Sequence, residues 1–215
     1  MLFYLIMYTQ EMVNVNSFEA EATPENILRE IFKKQAELME KYWTKPVWDE
    51  IDTLKGAQEI RKYSKYTCEE LAEAYEAKNN QDHMEEELID ALHFLVEKLQ
   101  IANLTFDKIL AYSWQEEDKL WENVKSNAED WSWNDKEFYF WKAAYRTNIP
   151  DNRLRNKEWK NEQIATNREQ FYKECSNWFF AFLIALWNLG LNDKKLWDLY
   201  SRKNQVNHFR INSNY

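Results

Sequence analysis

Glu85-Glu86-Glu87-Leu88-Ile89-Asp90-Ala91-Leu92-His93-Phe94 is the run that decides how this chain is read. Met84, Leu88, Ala91, Leu92, Leu95 and Leu99 recur at helical spacing around it, which predicts one amphipathic helix with an apolar stripe. Glu87 and Asp90 stand three positions apart, so about 60° of helical rotation separates them and both can converge on one object. No Lys or Arg lies between Gln81 and Glu97, so a salt bridge is not the expected object. Acids left unpaired on one helix repel each other unless a cation sits among them. The hard cation that suits carboxylate oxygens is Mg²⁺. One acidic patch on a helix is more often a solvated face; a second patch changes the reading.

That second patch lies just upstream. A helix expected after Gly56 and reaching about Lys78 turns Ile60, Thr67, Leu71 and Ala74 inwards and carries Glu69, Glu70, Glu73 and Glu76. Glu70 and Glu73 repeat the spacing of Glu87 and Asp90. Asn79-Asn80-Gln81-Asp82 reads as a short polar turn, with Asp82 to Glu85 resembling a capping box. So short a connection makes the two helices antiparallel neighbours. Glu70, Glu73, Glu87 and Asp90 then sit at comparable heights and line one groove, where four carboxylates are costly without cations. Spacing alone therefore favours a metal site.

Two Gly and three Pro in 215 residues predict a nearly all-α chain, a multi-helix bundle. The length suits a single domain over 1–215, with the Trp- and acid-rich stretch 104–161 as an insertion or a mobile lobe. Eleven Trp imply large interfaces, between helices or between subunits. A net charge of −9 argues against a non-specific nucleic-acid binder. It leaves a phosphate substrate open, because a metal inverts the local sign. Cys68 and Cys175 lack metal spacing and read as reduced core thiols. Met1 to Tyr8 are apolar but carry no basic flank or cleavage site and are too short to span a bilayer. A docking strand, a frayed end or an upstream start codon all stay open for them. The plain expectation is a soluble cytoplasmic protein without a membrane partner.

Elsewhere the chain punctuates itself. Thr23 and Pro24 are expected to open a helix carrying Leu28, Ile31, Phe32, Met39 and Tyr42 on one face. Gln35 falls in the middle of that stripe and needs a hydrogen-bond partner, either internal or a ligand. Trp43 to Asp52 reads as a partly irregular connection around Pro46. Asn134-Asp135 is expected to cap a helix through Arg146, with a loop at 148–152 and a charged helix from Leu154 to Lys173. Phe171, Cys175, Trp178, Phe179, Phe182, Leu183 and Leu186 form the most apolar helix, ended by Gly190, as central core or dimer interface. From about Asp193 a last helix sets Tyr200, Lys203, Asn207 and Arg210 on one stripe. Such a stripe is usually solvated; in an acidic chain it can also collect an anion held by metals from the other side.

These residues resemble a family. Glu87 to Phe94 resembles the E-x-x-D-x-x-H-F motif of the all-α dimeric dUTPases, relatives of the MazG-like and dCTP-hydrolysing pyrophosphatases. Glu70-Leu71-Ala72-Glu73 is similar to their E-x-x-E helix and Gln35-Ala36-Glu37-Leu38 to their Q-x-x-L motif. Tyr200-Ser201-Arg202-Lys203-Asn204-Gln205-Val206-Asn207-His208-Phe209-Arg210 resembles the late Y-x-x-K-N-x-x-N-x-x-R motif, with Tyr215 as its trailing Tyr. The family's tryptophan-rich segment after E-x-x-E is missing; Tyr75 and Lys78 stand there instead, and the Gly that often precedes the final Tyr is absent.

The resemblance implies an all-α nucleotide pyrophosphatase, a homodimer, that converts dUTP, and also dUDP, to dUMP. Glu70, Glu73, Glu87 and Asp90 would hold two or more Mg²⁺ ions, with Glu73 favoured over Glu70 as the residue that orients or deprotonates water. Gln35 would meet the base or sugar, Asn204 the nucleoside, and Lys203, Asn207 and Arg210 the phosphates. Phe94 and Tyr200 would wall off a 2′-hydroxyl, while His93 reads as a packed residue. A dCTP or dual dCTP/dUTP hydrolase, a MazG-like house-cleaning enzyme and a non-catalytic helical scaffold are the other readings.

Overall fold

The computed structural model describes residues 15–42, 45–130, 136–159 and 164–213. Met1 to Tyr8, the Trp43 end of the aromatic connection, the Asn134-Asp135 cap and Tyr215 lie outside the described residues. Among the described residues there are eight α-helices and no strand: α1 Ile27–Lys41, α2 Leu54–Glu76, α3 Gln81–Ile101, α4 Phe106–Ser113, α5 Leu120–Asp130, α6 Lys136–Asp151, α7 Arg168–Asn188 and α8 Asp193–Asn212. The chain is all-α, as its Gly and Pro content predicts.

The antiparallel pair α2–α3 is the frame on which the rest is built. Leu71 and Ala74 of α2 bury against the Met84, Leu88, Ala91, Leu92, Leu95 and Leu99 stripe of α3. The turn is capped by Asn80, whose side chain accepts from the His83 amide at 3.4 Å, so the expected Asp82 capping box gives way to a cap two residues earlier. α7 is core: Phe171, Trp178, Phe179, Phe182 and Leu183 are all buried. Gly190, at φ +105°, stands just past its C-terminal end and terminates it. The 104–130 stretch packs α4 and α5 against α7 and sends Leu104, Phe106, Ile109, Leu120 and Val124 into the same core.

Four boundaries differ from the sequence expectation, two through a local cap at another residue and two through distant groups that capture the local backbone. α1 begins after Asn26, which accepts from the Arg29 amide at 2.9 Å, not at Thr23-Pro24. The residues before it are tied to α8: the Trp197 indole donates to the Glu21 and Ala22 carbonyls, and Ser201 accepts from the Glu21 amide. Gly56 lies inside the first turn of α2 rather than before it, because Thr53 is the cap. The expected loop at 148–152 is instead the last turn of α6, carrying Pro150 and anchored by buried Lys98, which donates to Asp151 at 2.6 Å. The charged helix expected from Leu154 starts only at Arg168. Arg61 takes the Leu154 and Asn156 carbonyls at 2.7 Å each, and Asp52 takes the Thr166 amide at 2.6 Å, which holds this stretch in an irregular path.

Candidate active site

Helical periodicity places the acids. Glu70 and Glu73 lie on successive turns of α2, Glu87 and Asp90 on successive turns of α3, and the two helices run side by side. Glu70, Glu73 and Glu87 each offer a carboxylate oxygen within 4.8 Å of the others. Asp90 is set apart by a partner that the local sequence lacks: Lys203 of α8 reaches it at 2.5 Å. An exposed His83 meets Glu87 at 2.9 Å. The expectation that no salt bridge engages these acids fails here, because the cation comes from the far end of the chain.

Electrostatics follow from that crowding. Burial, then the charges of Asp90, Glu73 and Glu87, push the Glu70 carboxyl up to about 8. Asp90 is also raised, chiefly by burial, with Lys203 pulling the other way. Three carboxylate oxygens this close, with no nitrogen or sulfur donor among them, suit a hard divalent cation such as Mg²⁺.

Beside the cluster lies a cavity of about 430 Å³, enclosed by α1, α2, α3 and α8. Glu70 and Asp90 form part of its wall, so the acids and the cavity are one continuous site. Two other cavities are larger. The one of about 460 Å³ over Phe32, Met39 and Leu104 is mostly apolar, and in the one of about 760 Å³ around Asn26 Arg29 binds Glu117 at 2.6 Å. Neither joins the carboxylate cluster.

Of the residues singled out from sequence, Gln35, Phe94, Asn207 and Arg210 line this cavity. Lys203 stands at its acidic end through Asp90. Tyr200 and Asn204 do not line it. Both are buried: Tyr200 donates to the Ile31 carbonyl and Gln35 Oε1, each at 3.2 Å, and Asn204 packs with its amide nitrogen unpartnered. Tyr200 therefore backs the wall rather than forming it, because its turn of α8 points at α1. Gln35 has internal partners, His93 Nδ1 at 2.7 Å and the Tyr200 hydroxyl.

Tyr63, Tyr66 and Glu97 also line the cavity and went unread in the sequence. A signal was there: Tyr63, Tyr66 and Glu70 share one stripe of α2, and Asp90, Phe94 and Glu97 one stripe of α3. Tyr66 and Phe94 meet with ring centroids 5.1 Å apart.

The family model described as dUTPase matches residues 76–215. No curated protein and no solved structure matches the chain. The matched span includes Glu87, Asp90, Phe94, Lys203, Asn207 and Arg210; Gln35, Glu70 and Glu73 precede it and join these residues through the fold.

Proposed function

The chain belongs to the dUTPase family and is a dUTP-hydrolysing enzyme; from that premise we propose that hydrolysis runs at the Glu70–Glu73–Glu87–Asp90 cluster, depends on Mg²⁺, and takes dUDP as well as dUTP to dUMP. The observation that carries this reading is the convergence of three carboxylate oxygens within 4.8 Å at the mouth of a cavity of nucleoside size. Water adds to the phosphate chain, releasing dUMP with pyrophosphate from dUTP, or with phosphate from dUDP.

Glu70, Glu73 and Glu87 would hold the cations, with Asp90 beside them, two or more ions to the site. Bound there, Mg²⁺ screens the phosphate charge and lowers the pKa of the attacking water. Glu73 is the exposed member and orients or deprotonates that water. Lys203, already on Asp90, and Arg210, whose Nε is buried without a partner, supply positive charge to the phosphates. Asn207 stands beside Arg210 on the same face of α8 and adds an amide to that grip. Phe94, paired with Tyr66, gives the sugar an aromatic wall, and Gln35 meets the base. The enzyme acts as a homodimer, for which the aromatic excess leaves surface: Trp141 and Tyr145 are 63% and 56% exposed and stack in parallel.

The test is pyrophosphate and phosphate release from dUTP, dUDP, dCTP, dTTP and UTP, with and without Mg²⁺. Mg²⁺-dependent turnover of dUTP and dUDP is the expected result. Turnover that persists in a chelator overturns the metal assignment, and preference for dCTP overturns the base assignment.

A further inference from the structure

The hydrogen bonds behind the cavity fix which way the Gln35 amide faces. Two donors converge on its carbonyl oxygen: His93 Nδ1 at 2.7 Å and the Tyr200 hydroxyl at 3.2 Å, the latter shared with the Ile31 carbonyl. The two donor rings are stacked on each other, with centroids 4.4 Å apart and planes 16° apart, so neither donor swings away without breaking the stack. All three side chains are buried. With its oxygen held from behind, the Gln35 amide nitrogen has no partner among the described residues, and Gln35 lines the cavity.

The opposite amide orientation would satisfy the same distances, but only by moving the ring proton of His93 to Nε2. That nitrogen is buried with no partner. A buried N–H without an acceptor is the rarer and costlier of the two deficits, so the proton belongs on Nδ1. Burial and the nearby Lys203 charge pull the His93 ring down to about 3, which keeps it neutral. Burial likewise holds the Tyr200 phenol protonated, and thus a donor. The cavity side therefore receives two N–H donors from Gln35. His93 also lines the cavity, with Nδ1 spent on Gln35 and one ring face on Tyr200, while its Nε2 stays buried.

We propose that His93 and Tyr200 are positioning residues that lock the Gln35 amide as a donor, and that this lock selects uracil over cytosine. The inference rests on the reading above that Gln35 meets the base. Uracil presents a carbonyl at position 4, which complements a donor from Gln35. Cytosine presents an amino group at that position, so donor meets donor at Gln35. A site built this way rejects the analogue because its own buried polar groups go unpaired. Had the amide taken the opposite orientation, the Gln35 oxygen would face the cavity and suit the cytosine amino group.

The experiment compares kcat/KM for dUTP and dCTP in the wild type, Tyr200→Phe and His93→Phe. Both substitutions keep an aromatic ring in the stack and delete one donor. The dUTP-over-dCTP ratio is expected to fall about tenfold in Tyr200→Phe and further in His93→Phe, mainly through KM. Urea midpoints check that each variant is folded, and Tyr200→Phe carries the test if His93→Phe is not. Independently of activity, ¹⁵N NMR of the imidazole reads the tautomer in the free protein; Nδ1–H with a bare Nε2 is expected. An Nε2–H tautomer, or an unchanged ratio in folded variants of an enzyme that hydrolyses dUTP, overturns the lock and leaves the hydrolase reading intact. A wild type inactive on every nucleotide overturns the hydrolase reading, and the tautomer still decides the lock.

Discussion

Glu70 concentrates the electrostatics of the site. Its carboxyl is pushed up to about 8 by burial first and by Asp90, Glu73 and Glu87 next. A carboxyl raised in the folded state binds a proton there that the unfolded chain has released, so stability falls as pH rises from the ordinary Glu range towards 8. Without divalent cation, the protein should therefore show a higher denaturation midpoint near pH 5 than near pH 8, and saturating Mg²⁺ should remove most of that difference. Urea titrations at the two pH values, each with Mg²⁺ and with chelator, measure it; a midpoint that rises with pH in chelator would contradict the assignment. The acids themselves were legible in the sequence, because a three-residue spacing on a helix is local geometry. The Lys203–Asp90 pair was not. Its partners sit on α8 and α3, and nothing local to Asp90 announces a cation. The burial of Tyr200 was hidden for the same reason: the stripe on α8 is readable, but which of its residues meets α1 depends on how the two helices are rotated.

At the scale of elements, α2 owes its start to a close approach. A Cβ on Gly56 would lie 2.1 Å from the Glu50 carbonyl oxygen, a contact with backbone that cannot give way. Gly56→Ala should therefore lower stability by about 1–3 kcal/mol, as overpacking does, although Ala is the better helix former. A denaturant midpoint equal to or above that of the wild type would show that the turn at Trp48–Glu50 moves freely. Helix existence was readable throughout, since apolar stripes such as Leu88, Leu92, Leu95 and Leu99 encode it directly. Helix ends were readable only where the cap was local. Gly190 marks its helix end plainly, whereas the chain from Leu154 looks helical by composition and is held out of a helix as far as Arg168 by Arg61 and Asp52. Long-range capture of backbone carbonyls leaves no periodic trace.

In the whole molecule, the site joins three parts of the chain that are remote in sequence. α1 brings Gln35, the α2–α3 hairpin brings the acids, and α8 brings Lys203, Asn207 and Arg210 to one cavity. No helix among the described residues is long and apolar enough to cross a membrane. The dUTPase match begins at the last residue of α2, so the first half of the site rests on the fold and on the spacing of Glu70 and Glu73. The double substitution Glu70→Gln/Glu87→Gln tests that most directly, by Mg²⁺-dependent dUTP turnover read beside the melting temperature. Loss of turnover by about a thousandfold or more, with the melting temperature unchanged or raised as repulsion is relieved, is the result this arrangement requires. Turnover that survives in the folded double variant would mean that these carboxylates do not hold the catalytic metal.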